Sequence, residues 1–125
     1  MISKLKTKLK NKRITILGLG KEGESSYRFI RRLFPKKHLF LADRKPLYEV
    51  ESSFKKLIAK DSFVKLFFGE KYLDSLRLAE LIIKTPGIPP TLPEIVLARS
   101  RSALITSQTE LFFDYCPGKI IGITG

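Results

Sequence analysis

The stretch ITILGLGKEG, residues 14–23, constrains the fold of this chain more than any other segment. A short run of β-branched and aliphatic residues, Ile14–Leu17, leads into a G-x-G-x-x-G spacing. Apolar residues then recur at helical spacing from Gly23 to Phe34, and Pro35 ends that element. A strand that turns through glycines directly into a helix is typical of the opening unit of a parallel α/β sheet.

The same alternation of short apolar runs and helical patterns continues to the end of the chain. The predicted strands are residues 14–17, 38–42, 63–68, 81–83, 103–105 and 120–123. The predicted helices are residues 23–34, 47–60, 93–101 and 107–115, with Ser107 as the N-cap of the last. This order predicts an α/β fold, with a parallel sheet that carries helices on its faces.

The chain is strongly basic, with 24 Lys and Arg against 12 Asp and Glu and a net charge of +12. Such a charge attracts anions of any kind: nucleic acid, an anionic membrane or a phosphorylated small molecule. Six basic side chains lie within residues 1–13, and we interpret residues 1–12 as a solvated basic lead-in.

Neither secretion nor membrane insertion is indicated by the sequence. The lead-in is followed only by ITILGLG, which is too short and too rich in glycine for a signal peptide. No run approaches the roughly 20 apolar residues of a membrane span. Cys116 is the single cysteine, so an internal disulfide is excluded and a reducing compartment is expected.

The glycine spacing also suggests a ligand. Glycines let the backbone approach an anion such as a pyrophosphate, and the N–H groups of the first helical turn then face it. Asp43 lies 20 residues after Gly23, at the end of the second predicted strand. A dinucleotide fold places an acid for a ribose hydroxyl at that position, so these residues taken alone predict NAD binding. The alternative is a plain tight turn between strand and helix.

Two details argue against NAD. Arg44 and Lys45 follow Asp43 directly, which suits an anionic or carbonyl-rich ligand. Glu22 and Glu24 fall in the first turn of the helix, where carboxylates repel a phosphate unless they turn towards solvent.

A second loop follows the fourth predicted strand and has the sequence TPGIPP. In a parallel sheet it lies at the carboxyl edge beside the first glycine loop, where a ligand crevice is expected. Pro86 pre-sets a turn, and Gly87 would permit a positive φ. The alternative is a rigid turn with no ligand. Glu110, further along, is either a ligand contact or a solvated or capping residue.

Together these stretches resemble the N-terminal part of the Mur ligase family, and within it the members that add D-glutamate. The matching segments are ILGLGKEG, LADRK, IIKTPGIPP, PEIVLARS, ALITSQTELF and GKIIGITG. The resemblance spans residues 13–125 and implies a Rossmann-like UDP-binding domain over residues 13–107. Residues 108–125 would then be a linker helix and the first strand of a truncated central ATPase domain.

The resemblance also implies roles for individual residues. The diphosphate would be received by Gly20, Lys21, Glu22 and Gly23. The uridine would be met by Asp43, Arg44 and Lys45, and the uracil by Thr85, Pro86 and Gly87. The start of the ATP loop would be Gly122, Thr124 and Gly125. No catalytic residue and no metal ligand is expected within these 125 residues.

The reaction implied by the family is amide formation. ATP, with Mg²⁺, phosphorylates the terminal carboxylate of UDP-MurNAc-L-Ala, and the amine of D-glutamate then attacks. The lysine of the ATP loop is missing from this sequence, so we expect the piece to be inactive alone and to bind no cofactor. We expect a cytoplasmic monomer with neither a membrane partner nor a specific nucleic acid. A NAD-binding domain of an oxidoreductase and a nucleic-acid-binding module remain the alternatives.

Overall fold

A computed structural model of the chain describes the backbone of residues 2–115 and the side chains of residues 4–111. The helices are α1 (Ile2–Leu9), α2 (Lys21–Leu33), α3 (Ser52–Ala59), α4 (Pro93–Ser100) and α5 (Gln108–Tyr115). The strands are β1 (Ile14–Leu17), β2 (Leu39–Asp43), β3 (Val64–Phe68), β4 (Leu81–Lys84) and β5 (Leu104–Thr106). Two 3₁₀ helices span Leu47–Glu49 and Gly69–Leu76.

The five strands form one parallel sheet in the order β3-β2-β1-β4-β5. The central strand β1 pairs with β2 on one side, Ile14 opposite Leu39, and with β4 on the other, Ile14 opposite Leu81. The chain therefore reverses its direction of winding between β1 and β4. In such sheets a crevice opens beyond the carboxyl ends of the strands at that reversal.

Helices cover both faces of the sheet, because alternate strand residues point to opposite sides. Ile14 and Ile16 belong to the core that is shared with α1, α2, α3 and α5. Leu17 belongs to the core on the other face, under α4 and the second 3₁₀ helix. Thr15 is fully buried there, and its hydroxyl donates to the carbonyl of Ser75 at 2.8 Å. The predicted α/β, Rossmann-like architecture is confirmed.

The interpretation of residues 1–12 as a solvated lead-in is wrong for most of that segment. Residues 2–9 form α1, and Leu5 and Leu9 are fully buried in the core. Two leucines spaced one helical turn apart give the segment an apolar stripe. The lysines between them kept the segment from being predicted as structure, although they occupy only its exposed side.

The predicted helix over residues 47–60 is interrupted in the middle. Val50 is extended, with φ −70° and ψ 142°, and Glu51 is the N-cap of α3. The Glu51 carboxylate accepts from the Ser53 hydroxyl at 2.5 Å and from the Phe54 N–H at 3.0 Å. The Ser53 hydroxyl is the main reason that the pKa of Glu51 falls to about 2. A side-chain cap inside an apolar pattern therefore splits the element.

The other predicted elements within the described residues are present, and each end differs from the prediction by two residues at most. The 3₁₀ helix over Gly69–Leu76 was not predicted. The strand predicted over residues 120–123 lies outside the described residues. None of the described helices is long and apolar enough to cross a membrane.

A buried polar cluster fastens the end of α2 to the turn before β3. Asp61 accepts from the Arg31 Nε at 2.8 Å and from the Tyr27 hydroxyl at 2.5 Å. The Arg31 and Asp61 side chains are 15% and 9% exposed. Burial raises the pKa of Asp61, but hydrogen bonds from Tyr27, the Phe63 N–H and Arg31 outweigh it and leave this pKa below its usual value. The cluster holds α2 in place along the sheet.

Candidate functional site

Gly18 begins the loop that joins β1 to α2, and only glycine suits its geometry. Its φ is +97°, a region that residues with a Cβ rarely adopt. Its N–H donates to the carbonyl of Ala42 at 2.7 Å. A Cβ at this position would lie 2.7 Å from both Oγ1 and Cγ2 of Thr85. The missing side chain therefore lets the loop after β4 close over the loop after β1.

Gly23, in the first turn of α2, has a different task. A Cβ there would lie 1.9 Å from the carbonyl oxygen of Gly18, far inside the contact distance. Gly23 is buried, and its lack of a side chain allows the helix to pack directly on the loop. The structure gives Gly23 a packing role, and its ligand role remains a prediction.

Gly20 is the N-cap of α2 and lies open to solvent. No heavy atom lies within 4 Å of the position that a Cβ would occupy, and no side chain caps the helix here. The first helical bond of this turn runs from the Glu24 N–H to the Gly20 carbonyl at 2.9 Å. The amides that precede Glu24 in the turn are the ones that a helix start leaves without an intrahelical acceptor.

Asp43, at the end of β2, holds this loop by its backbone. Its Oδ2 accepts from the Leu19 N–H at 2.8 Å, and its Oδ1 accepts from the Lys45 N–H at 2.9 Å. The carboxylate therefore ties the glycine loop to the end of β2. Sequence reasoning proposed Asp43 as a ligand contact and did not anticipate this structural task.

The loop after β4 is a short turn. The Ile88 N–H donates to the Thr85 carbonyl at 3.2 Å, and the Lys84 ammonium donates to the Ile88 carbonyl at 2.9 Å. The turn makes no use of the positive φ that Gly87 would permit: among the described glycines only Gly18 and Gly69 have one. A Cβ at Gly87 would meet no atom within 4 Å.

These loops enclose a cleft of about 740 Å³ at the carboxyl edge of the sheet, which we call the main cleft. The predicted site residues that line it are Gly20, Lys21, Glu22, Asp43, Arg44, Lys45, Thr85 and Gly87. Gly23 and Pro86 are the predicted residues of the described range that do not line it. The structure thus brings together residues from three separate loops.

Four lining residues were missed by sequence reasoning: Tyr72, Ile88, Pro89 and Leu92. They give the main cleft an apolar part of its lining. Ile88 and Pro89 belong to the TPGIPP motif and could have been found there. Tyr72 could not have been found in this way, because it lies on the 3₁₀ helix over Gly69–Leu76, which was not predicted from the sequence.

Residues 12–107 match the family described as Mur ligase MurD-like, N-terminal domain. The chain belongs to this family. It is 31% identical over 124 residues to a UDP-N-acetylmuramoylalanine–D-glutamate ligase of Acetivibrio thermocellus, covering 99% of the chain and 26% of that relative. It is 37% identical over 123 residues to the ligase of the same name from Clostridium botulinum strain Hall, covering 98% and 26%. The chain spans about a quarter of the length of these curated relatives. The resemblance to the Mur ligases is thereby confirmed.

Around the main cleft of this MurD-like domain, some charged side chains have partners within the domain and others have none among the described side chains. Lys21, Arg44 and Lys45 are exposed at its mouth, and the described side chains provide no ion pair for any of them. The Asp43 carboxylate is engaged by two backbone N–H groups. Glu22 lines the cleft but is exposed. Three cations thus remain available to an anionic ligand.

The helix α5, which follows the matched residues 12–107, packs on the sheet and does not line the main cleft. The Ser107 hydroxyl accepts from the Glu110 N–H at 3.1 Å, so the predicted N-cap is confirmed. Leu111 is buried in the core, and Gln108 donates to the Ser25 hydroxyl at 2.5 Å. Glu110 lines a separate, smaller depression beside β5. The predicted ATP-loop residues Gly122, Thr124 and Gly125 lie outside the described residues.

Proposed function

We propose that this chain is the domain of a D-glutamate-adding Mur ligase that binds the UDP end of UDP-MurNAc-L-Ala. The observation that carries the proposal is the main cleft, where two separately predicted loops and the end of β2 converge. Membership of the MurD-like family supports the same assignment. The main cleft also lies where the winding of the parallel sheet reverses, which is where nucleotides bind in such folds.

The diphosphate would lie against the first turn of α2. Gly20 has open space where a side chain would stand, so an oxygen anion can approach the backbone closely. Backbone amides at a helix start and the positive end of its dipole favour a phosphate there. Lys21 adds a cation at the same edge, and Glu22 would point to solvent. Gly23 would support this binding indirectly, because its lack of a side chain lets α2 pack directly on the loop after β1.

The uridine would occupy the other half of the main cleft. Tyr72, Ile88 and Leu92 offer apolar surface for a base, and Thr85 offers a hydroxyl beside it. Arg44 and Lys45, which also line the cleft, would donate to ribose or uracil oxygens. Asp43 would act mainly by holding the glycine loop open to the diphosphate. Pro86 would shape the turn without lining the cleft.

The activity of the larger protein is part of the same proposal. It would join D-glutamate to UDP-MurNAc-L-Ala in the cytoplasm, for peptidoglycan precursor synthesis. ATP with Mg²⁺ would supply the phosphoryl group that activates the carboxylate. We assign residues 13–107 to the UDP-binding domain and 108–125 to the start of the ATPase domain, with Gly122, Thr124 and Gly125 opening its ATP loop. The 125-residue piece would be an inactive monomer.

The NAD-binding alternative depended on Asp43 as the acceptor for a ribose hydroxyl. Each of its oxygens accepts one backbone N–H group, at 2.8 and 2.9 Å, so this carboxylate has a structural task that explains its position without a ribose. Two cations directly after Asp43 also suit a ligand with more anionic or carbonyl oxygens than a ribose offers. We therefore rank NAD binding second.

Calorimetric titration with UDP-MurNAc-L-Ala, UDP and NADH tests the proposal. We expect saturable binding of both uridine compounds and none of NADH. Lys21→Gln should weaken UDP binding roughly tenfold, the loss of one charge-assisted contact. Lys56→Gln, an exposed change on α3 outside the main cleft, is the matched control and should leave it unchanged. Saturable NADH binding without a response to either uridine compound would reverse the assignment.

A further inference from the structure

A second cleft, of about 710 Å³, lies between α1 and the end of α2. Phe34 and Pro35 contribute apolar surface to this cleft. Four lysines also line it: Lys6, Lys10, Lys36 and Lys37. We call it the lysine cleft. No Asp or Glu lines it among the described residues, whereas two carboxylates line the main cleft.

The ring of Phe34 gathers two of the ammonium groups. The Lys6 Nζ lies 6.0 Å from the ring centroid, and the Lys37 Nζ lies 5.6 Å from it. The Lys37 ammonium also donates to the Lys10 carbonyl at 3.0 Å. Burial lowers the pKa of Lys37, and the nearby charge of Glu80 offsets this only in part. The cleft therefore holds cations that lack sufficient counter-charge.

The helix α1 makes this arrangement a fixed surface instead of a floating tail. Leu5 and Leu9 anchor it in the core, and both side chains are fully buried. Lys6 on α1 and Lys10 directly after it lie one helical turn apart, and both are exposed. Because the apolar face of α1 is used for packing, these two lysines are held on one side of the segment, next to Lys36 and Lys37.

The features of the lysine cleft distinguish between large anionic partners. Single-stranded nucleic acid is usually held by bases stacked on open aromatic faces, and here two ammonium groups already accompany the Phe34 ring. A cluster of four lysines with no carboxylate among its lining residues instead complements a layer of phosphate headgroups. We propose that the lysine cleft docks on anionic phospholipid bilayers.

This departs from the expectation of no membrane partner, which treated residues 1–12 as solvated. The attachment is peripheral and electrostatic, and it is independent of the proposed UDP binding. The main cleft opens at the carboxyl ends of the strands, whereas Pro35, Lys36 and Lys37 of the lysine cleft lie just before the amino end of β2. A bilayer on the lysine cleft would therefore leave the main cleft accessible.

Co-sedimentation of the chain with vesicles tests the proposal. We expect binding to phosphatidylcholine vesicles that contain about 40% phosphatidylglycerol, and none to pure phosphatidylcholine, at roughly 0.1 M salt. The variant K6Q/K10Q/K36Q/K37Q should lose about 100-fold or more in partition coefficient. The control K55Q/K56Q/K60Q/K65Q removes the same number of charges around α3 and β3 and should lose less than about threefold.

A second variant guards against misfolding. K10Q/K36Q leaves both Phe34 contacts intact and should still lose about tenfold with an unchanged thermal transition. Equal losses in the two quadruple variants would overturn the proposal, because net charge alone would then explain binding. So would displacement by inorganic phosphate at the concentration of lipid phosphate. Tighter, cleft-dependent binding of poly(U) than of vesicles would assign the surface to nucleic acid instead.

Discussion

Two of the loops that form the main cleft, those after β1 and β4, use their glycines differently. In the loop after β1, Gly18 requires a positive φ and Gly23 leaves no room for a Cβ. In the loop after β4, Gly87 has neither constraint. Gly20 resembles Gly87 in this respect, although it belongs to the first loop. The comparison separates glycines that the fold requires from glycines that only a ligand would require.

The largest effect is expected for Gly23→Ala. The new methyl group would overlap the Gly18 carbonyl oxygen, so α2 must move away from the loop. Forced overpacking of this kind should lower the free energy of unfolding by about 3 kcal/mol. Urea denaturation measures this change, and Gly87→Ala, whose methyl group meets open space, is the reference. An unfolding midpoint equal to that of the parent chain would show that the glycine is dispensable.

Gly18→Ala comes next. Alanine at φ +97° is strained, and its methyl group would press on Thr85. We expect a loss of about 2 kcal/mol in the free energy of unfolding. The contrast with Gly87→Ala is the informative measurement, since that substitution meets open space. Similar losses at both positions would remove the distinction between the two loops.

Asp43→Asn tests the connection between the loop and β2. The amide keeps one acceptor, so one of the two charge-assisted bonds, to Leu19 or Lys45, is lost. Stability should fall by about 1.5 kcal/mol, and the affinity for UDP should fall as well, because the loop is no longer held. A fall in affinity with unchanged stability would instead favour direct contact between Asp43 and the ligand.

The smallest effect on stability is expected for Gly20→Ala and Gly87→Ala. Both positions are open, so Gly87→Ala should cost less than about 0.5 kcal/mol, and Gly20→Ala, at the N-cap of α2, about 1 kcal/mol at most. Gly20→Ala should nevertheless weaken UDP binding about tenfold or more, because the methyl group would stand between the backbone amides and the diphosphate. Paired thermal and calorimetric measurements separate the two quantities. Unaltered UDP affinity in Gly20→Ala would contradict the assignment of the diphosphate to this turn.

The sequence allowed the sheet and most of its helices to be predicted, because strand-loop-helix units repeat with clear periods. The described strands lie within a residue or two of their predicted bounds. α1 was not predicted, because the many lysines of this segment are typical of a solvated tail and outnumber its two buried leucines, Leu5 and Leu9. The break at Glu51 was missed because a side-chain cap competes locally with a pattern that otherwise continues.

The loop residues of the main cleft were predicted from the sequence, but the apolar residues that line it were not. Residues next to glycine and proline motifs were correctly expected to come together, since parallel strands end at one edge. Tyr72 reaches the main cleft only through tertiary folding of a 3₁₀ helix. The structural task of Asp43 was missed for a related reason. A carboxylate at the end of a strand can bind a ligand or accept from backbone N–H groups, and only the folded structure distinguishes the two.

The most direct test of the central claim is a ¹H–¹⁵N NMR titration of the chain with UDP. The account predicts saturable shifts of the amides of Gly20, Lys21, Thr85 and Gly87, with little change around Phe34 in the lysine cleft. Saturation with UDP that leaves these four amides unmoved would contradict it.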